Sequence, residues 1–145
     1  MNHYALRRLL LAAALAVPGT ALATAATLHK TPTCGCCDFY VKYLEAQGFE
    51  LAVVDHDSMA PIFQAAGIHR TMASCHTMDV GPYAVIGHMP VEVIEQLLEE
   101  RPMIRGITLP GMPSASPGMP GEKQETFTVY RITVDAANPE VYMLH

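Results

Sequence analysis

The chain has 145 residues, 50% of them hydrophobic, with nine Lys and Arg against fourteen Asp and Glu for a formal charge of −5. That length suffices for one domain with a hydrophobic core. The acidic balance argues against nucleic acid as a partner, because phosphates are neutralised by Lys and Arg.

The first segment reads as a leader and not as fold. Arg7 and Arg8 form a positive start, Leu9 to Val17 an apolar run too short to span a bilayer, and Pro18-Gly19 a break. Small residues follow in Ala21-Leu22-Ala23 and Ala23-Thr24-Ala25, two frames for cleavage. The expectation is a signal peptide over residues 1–25, one domain over 26–145, export to the periplasm, and no stable membrane span after processing. Without Arg7 and Arg8 the chain keeps seven basic against fourteen acidic residues, a formal charge of −7.

Ala26 to Lys30 predicts a first strand, and Thr31-Pro32 a loop. A helix over Cys37 to Gln47 follows, with Tyr40, Val41 and Leu44 at helical spacing and Gly48 as its stop. Phe49 to Val54 reads as a buried strand ending at Asp55-His56-Asp57. Ser58 can cap a short helix through Ala66, and Ile68 to Val80 reads as irregular. Tyr83 to Ile86 predicts a strand, then Pro90 opens a helix with Val91, Ile94, Leu97 and Leu98 on its inner face. Thr108 to Gly121 is a Pro/Gly-rich loop, and Phe127 to Val134 with Val141 to Leu144 suggest a closing hairpin across Ala136-Ala137-Asn138-Pro139. The order β-α-β-α-β-α-β-β gives an α/β fold, a thioredoxin-like sandwich with an added C-terminal β-hairpin. Val41, Leu44, Val53, Val85, Ile94 and Leu97 are its expected core.

Three of the four cysteines fall in Cys34-Gly35-Cys36-Cys37, at a helix start, and the fourth is Cys75, followed by His76. Thiolates carry metal and redox chemistry, and a helix N-terminus favours the thiolate. Cys34 and Cys37 have the spacing of a thiol–disulfide centre. Cys36 adds a competing thiol, and no proline lies between Pro61 and Pro82 to face such a centre. A disulfide staple would join Cys34 or Cys37 to Cys75 and leave thiols over. Thiolate and thioether ligands select copper(I), while four thiolates alone equally suit zinc. The crowding of Cys34, Cys36 and Cys37 would let sulfurs bridge two copper(I) ions, making a multinuclear site. Met112 and Met119, in the repeated Gly-Met-Pro of the Pro/Gly-rich loop, are candidate thioether ligands, and His76 and His88 candidate imidazole ligands. His29, His56, His69 and His145 are expected at the surface. Asp55 and Asp57 are expected to end a strand.

Thr31-Pro32-Thr33-Cys34-Gly35-Cys36-Cys37, Ser74-Cys75-His76-Thr77, Gly87-His88-Met89-Pro90 and Pro110-Gly111-Met112-Pro113 with Ser116-Pro117-Gly118-Met119 resemble the CopG-type periplasmic copper-resistance proteins. The likeness runs over nearly the whole chain after the leader. It departs at Ile68-His69, Met78 and Met89, two of which add thioethers. The resemblance implies a thioredoxin-like fold, copper binding through Cys34, Cys36, Cys37 and Cys75, and a role in copper tolerance. That role can extend to redox conversion of copper, alongside other periplasmic copper-handling proteins. The competing readings are a thiol–disulfide oxidoreductase acting on proteins and a disulfide-stapled binding module.

Overall fold

The computed structural model describes residues 23–133 and 139–145. The expected leader up to residue 22, and most of the expected hairpin turn, lie outside the described residues. Strands β1 (Thr24–Lys30), β2 (Phe49–Asp55), β3 (Thr77–Val80), β4 (Tyr83–Ile86), β5 (Gly106–Thr108), β6 (Thr128–Ile132) and β7 (Val141–Leu144) form one mixed sheet in the order β2-β1-β3-β4-β5-β6-β7. Helices α1 (Gly35–Ala46), α2 (Ala60–Ala65) and α3 (Val91–Glu100), with a single 3-10 turn at Arg70–Met72, complete the fold. β1 runs parallel to β2 and antiparallel to β3, and β6 pairs antiparallel with β7. No described helix is long and apolar enough to cross a membrane.

Alternation along the strands sends successive side chains to opposite faces of the sheet. Leu28, Met78, Val80, Val85 and Val129 meet Tyr40 and Leu44 of α1 and Ile94 and Leu97 of α3 on one face. Ile86 and Ile132 meet Phe63 of α2 with Ile68 and Met72 on the other. Fully burying a residue such as Leu44 contributes roughly 2 kcal/mol, so this face supplies most of the cohesion that seats α1. Two hydroxyls lock the helices together: Tyr40 donates to the Met89 carbonyl at 2.9 Å, and Tyr43 accepts from the first amide of α3, Val91, at 3.0 Å.

Several expectations change. β1 begins at Thr24, two residues earlier than expected, because its pairing with β2 starts at Thr24 and Phe49. Val53 is 42% exposed and not core, since β2 is an edge strand and Val53 and Val54 face solvent. Val41 is only partly buried. The stretch read as irregular contains β3, and β5 is also new. These strands of 4 and 3 residues are too short to show a period, and their pairing with β1, β4 and β6 creates them. Ser58 does not cap α2, whose N-cap is Met59, although its hydroxyl accepts from the Ala60 amide at 3.3 Å.

Candidate metal centre

All four cysteines converge where α1 begins. Cys34 is the N-cap, so Cys36 and Cys37 sit in the first turn, where backbone amides and the helix dipole present positive charge. Cys34 and Cys37 are joined as a disulfide, and Cys36 and Cys75 are free thiols. The bridge is therefore within the Cys-x-x-Cys and not to Cys75, which the staple expectation required. Spacing explains this: three residues along a helix's first turn bring the two Cα atoms to 5.4 Å, within disulfide reach.

Cys36 Sγ lies 3.4 Å from Cys34 Sγ, 3.8 Å from Cys75 Sγ and 4.0 Å from Met112 Sδ. Cys75 Sγ is 3.5 Å from Cys37 Sγ, 3.5 Å from His76 Nδ1 and 3.1 Å from His88 Nε2. Two donor groups result, each with all its ligand atoms within 4.8 Å: Cys34, Cys36, Cys37 and Cys75, and then Cys75, His76 and His88. Cys75 belongs to both.

Long-range bonds deliver Cys75 to the helix. Thr108 Oγ1 donates to the Met72 carbonyl at 2.7 Å, Gly111 N donates to the Ala73 carbonyl at 3.3 Å, and the Ser74 hydroxyl donates to the Gly111 carbonyl. The Pro/Gly-rich loop and the Cys75 loop are thus one stitched unit. That loop also docks on α1 at Gly118, whose φ is +80°. A Cβ there would meet Tyr40 N at 2.8 Å, so only glycine lets the loop close over the cluster. Gly87, with φ +83°, likewise leaves no room for a Cβ against the Leu109 carbonyl and Ser74.

Both histidines are fully buried, and Tyr40 packs on each, with ring centroids at 4.6 Å from His76 and 5.2 Å from His88. His88 Nδ1 donates to the Pro117 carbonyl at 2.7 Å, leaving Nε2 with its lone pair toward Cys75. Burial lowers the His88 pKa, partly opposed by that bond. His76 is pushed down to about 3, first by burial and then by neighbouring His88. The Gly87 backbone weakly opposes the shift, and His76 Nε2 has no hydrogen-bond partner among the described residues. Burial also raises the Cys75 thiol well above its ordinary range, helped by Cys36. Two neutral imidazoles and a shielded thiol resist charge when bare, and a cation at this spot would reverse that penalty.

Of the residues singled out in the sequence, Cys34, Cys36, Cys37, Cys75, His76, His88 and Met112 come together. Met119 is half-buried on the same loop and makes no such contact with a thiol. Met78 and Met89, which could have added thioethers, are fully buried in the core. Tyr40, Ser74, Pro117 and Gly118 support the site but were not singled out as such. Tyr40 lies one turn after Cys37, a spacing that places both on one side of α1. The other three stand in the motifs that carry the family resemblance, although residue type alone does not give them these roles.

Two solved structures, described as copper resistance protein copG in Form 1 and Form 2, are similar to this chain. Each has 33% identity and a TM-score of 0.75, covering 85% of this chain and 98% of its own. A family described as protein of unknown function, DUF411, matches residues 72–119, the span holding Cys75, His76, His88 and Met112. No curated protein sequence matches the chain.

Proposed function

The chain belongs to the CopG family of copper resistance proteins, and from that premise we propose that it binds copper(I) in the periplasm as part of copper resistance. One observation carries the reading: Cys75 is shared by a four-sulfur group and an imidazole pair. Thiolate, thioether and neutral imidazole form a soft donor set suited to copper(I), and a shared thiolate can bridge two ions. Cys34, Cys36, Cys37 and Cys75 hold the copper, His76 and His88 complete its inner side, and Met112 its exposed side, with Met119 a further thioether on the same loop. His76 faces the cluster with Nδ1, 3.5 Å from Cys75 Sγ and 3.6 Å from Cys37 Sγ, so Nδ1 is the nitrogen placed to ligate.

The Cys34–Cys37 disulfide must be reduced before both sulfurs can act as ligands. A dithiol reductant would open it. Re-forming the disulfide from the reduced pair releases two protons and two electrons, the electrons that take two copper(II) ions to copper(I), so conversion of copper between oxidation states would balance on this pair. The scaffold is a thioredoxin-like sandwich closed by the β6–β7 pair, a reading supported by the order β2-β1-β3-β4 and by thiols at the start of α1 after β1. Export is supported by the leader pattern. Intact mass of periplasmic protein should place the mature start between Thr24 and Thr27, and a retained Leu9 to Val17 would refute it.

The test is copper content and copper K-edge absorption on protein reduced and loaded anaerobically. More than one copper(I) per chain is expected, with that stoichiometry collapsing in Cys36→Ser. Full loading of Cys36→Ser with unchanged spectra would sink the shared site. A second reading, a thiol–disulfide oxidoreductase, is favoured by the Cys34–Cys37 bridge itself. It requires that Cys36→Ser keep protein-disulfide exchange, because Cys36 is outside that bridge.

A further inference from the structure

The histidines expected at the surface include two that are paired. His29 Nδ1 lies 2.9 Å from His56 Nε2, and the other nitrogen of His29, Nε2, lies 3.3 Å from Asp79 Oδ2. We propose that His29 and His56 form a second metal site for a divalent transition ion, copper(II) foremost, separate from the thiolate centre.

Three features build this site. First, the strands fix both rings. His29 is in β1 opposite Thr77 of β3, and Asp79 is its diagonal neighbour on the same face of the sheet. His56 follows β2 directly, with its amide donating to the Lys30 carbonyl at 2.8 Å. Second, Asp79 backs His29. Its carboxylate stands 3.3 Å from Nε2, the side away from His56, and would orient the ring with Nδ1 toward the ion, as carboxylates behind metal-binding histidines commonly do. Third, the donor set is nitrogen with oxygen and no sulfur. Imidazoles suit copper(II) and zinc, and copper(II) stands highest in the divalent series. Cis nitrogens around a tetragonal copper(II) stand about 2.8 Å apart for bonds of about 2.0 Å. The observed 2.9 Å separation is close to that.

In the metal-free chain the two nitrogens share one hydrogen bond, whose direction follows the tautomers. Binding the ion moves the shared proton to the far nitrogen of the ring that carries it, so that His29 Nδ1 and His56 Nε2 both present lone pairs. No redox step is involved, and water fills the remaining positions. Leu28 and Lys30 face α1, so His29 faces away from it, and His76 faces the opposite side from Thr77. β1 and β3 therefore stand between the two metal positions. A soft site for copper(I) and a nitrogen site for copper(II) would lie on opposite faces of one sheet. The nitrogen site does not depend on the thiolate reading.

The test uses the full mature chain with Cys36→Ser and Cys75→Ser, Cys34–Cys37 oxidised, and Cu2+ alone as probe. One equivalent should give a tetragonal electron paramagnetic resonance signal with hyperfine coupling to two imidazole nitrogens. Adding His56→Ala should weaken Cu2+ binding at least tenfold and remove that two-nitrogen pattern. Asp79→Asn should keep the pattern but weaken binding about 10–100-fold. With Zn2+ in place of copper, two-bond proton–nitrogen spectra should place the His56 proton on Nδ1. A signal unchanged by His56→Ala, or no two-nitrogen signal at one equivalent, overturns the proposal. Circular dichroism of the same samples shows whether each variant is folded.

Discussion

Cys75 Sγ and His88 Nε2 stand 3.1 Å apart, and the His88 ring is fixed from behind by its 2.7 Å bond to the Pro117 carbonyl. The thiol that joins both donor groups therefore always faces an imidazole lone pair. His88→Ala should lower copper retention about tenfold or more, the scale of losing one ligand or its support. Competition against a copper(I) chelator measures it. Retention equal to the parent would show that His88 only fills space.

Met112 is the exposed member of the site, its sulfur 4.0 Å from Cys36 Sγ. A thioether is a weaker ligand than a thiolate, so Met112→Leu should reduce copper retention less than tenfold and leave stoichiometry intact. Loss of all copper would mean that the ligands are ranked wrongly here.

Gly118 and Gly111 both have positive φ, but a Cβ at Gly118 would run into the Tyr40 backbone, while one at Gly111 would meet nothing within 4 Å. Gly111→Ala should cost only the conformational strain, roughly 1 kcal/mol. Gly118→Ala adds a steric conflict with α1 and should cost roughly 1–3 kcal/mol. Denaturant titration of both variants gives the difference. Equal losses would mean that the loop does not close on the helix at Gly118.

His76 makes the metal-free protein acid-sensitive. Its pKa is about 3 when folded against 6.5 ordinarily, so the unfolded chain binds a proton that the folded one refuses between those values. Stability from this group is complete above about pH 6.5 and falls as pH drops toward 3, by at most about 1.4 kcal/mol per unit. The oxidised, metal-free chain should follow this slope, and His76→Gln should flatten it. Urea midpoints between pH 4 and 7 would show it. An identical slope in the variant would place the acid sensitivity elsewhere.

What the sequence determined by itself was local. Cys34, Cys36 and Cys37 had to stand at the start of a helix, because Tyr40, Val41 and Leu44 recur at helical spacing directly after them; that the helix begins at Gly35, two residues before the expected Cys37, was not legible. Val91, Ile94 and Leu97 likewise had to line one face of α3. Side chains three or four residues apart on a helix share a face whatever lies around it. Tertiary structure decided the rest, because long-range pairing leaves no periodic trace in short segments. It made strands of Thr77–Val80 and Gly106–Thr108, turned Val53 outward on an edge, and brought Cys75 to Cys37 across 38 residues of chain. It also paired His29 with His56. The approach of Cys75 and the pairing of the two histidines depend on how β1 is flanked by β2 and β3, a choice made by burial of the whole sheet and not by any one stretch of residues.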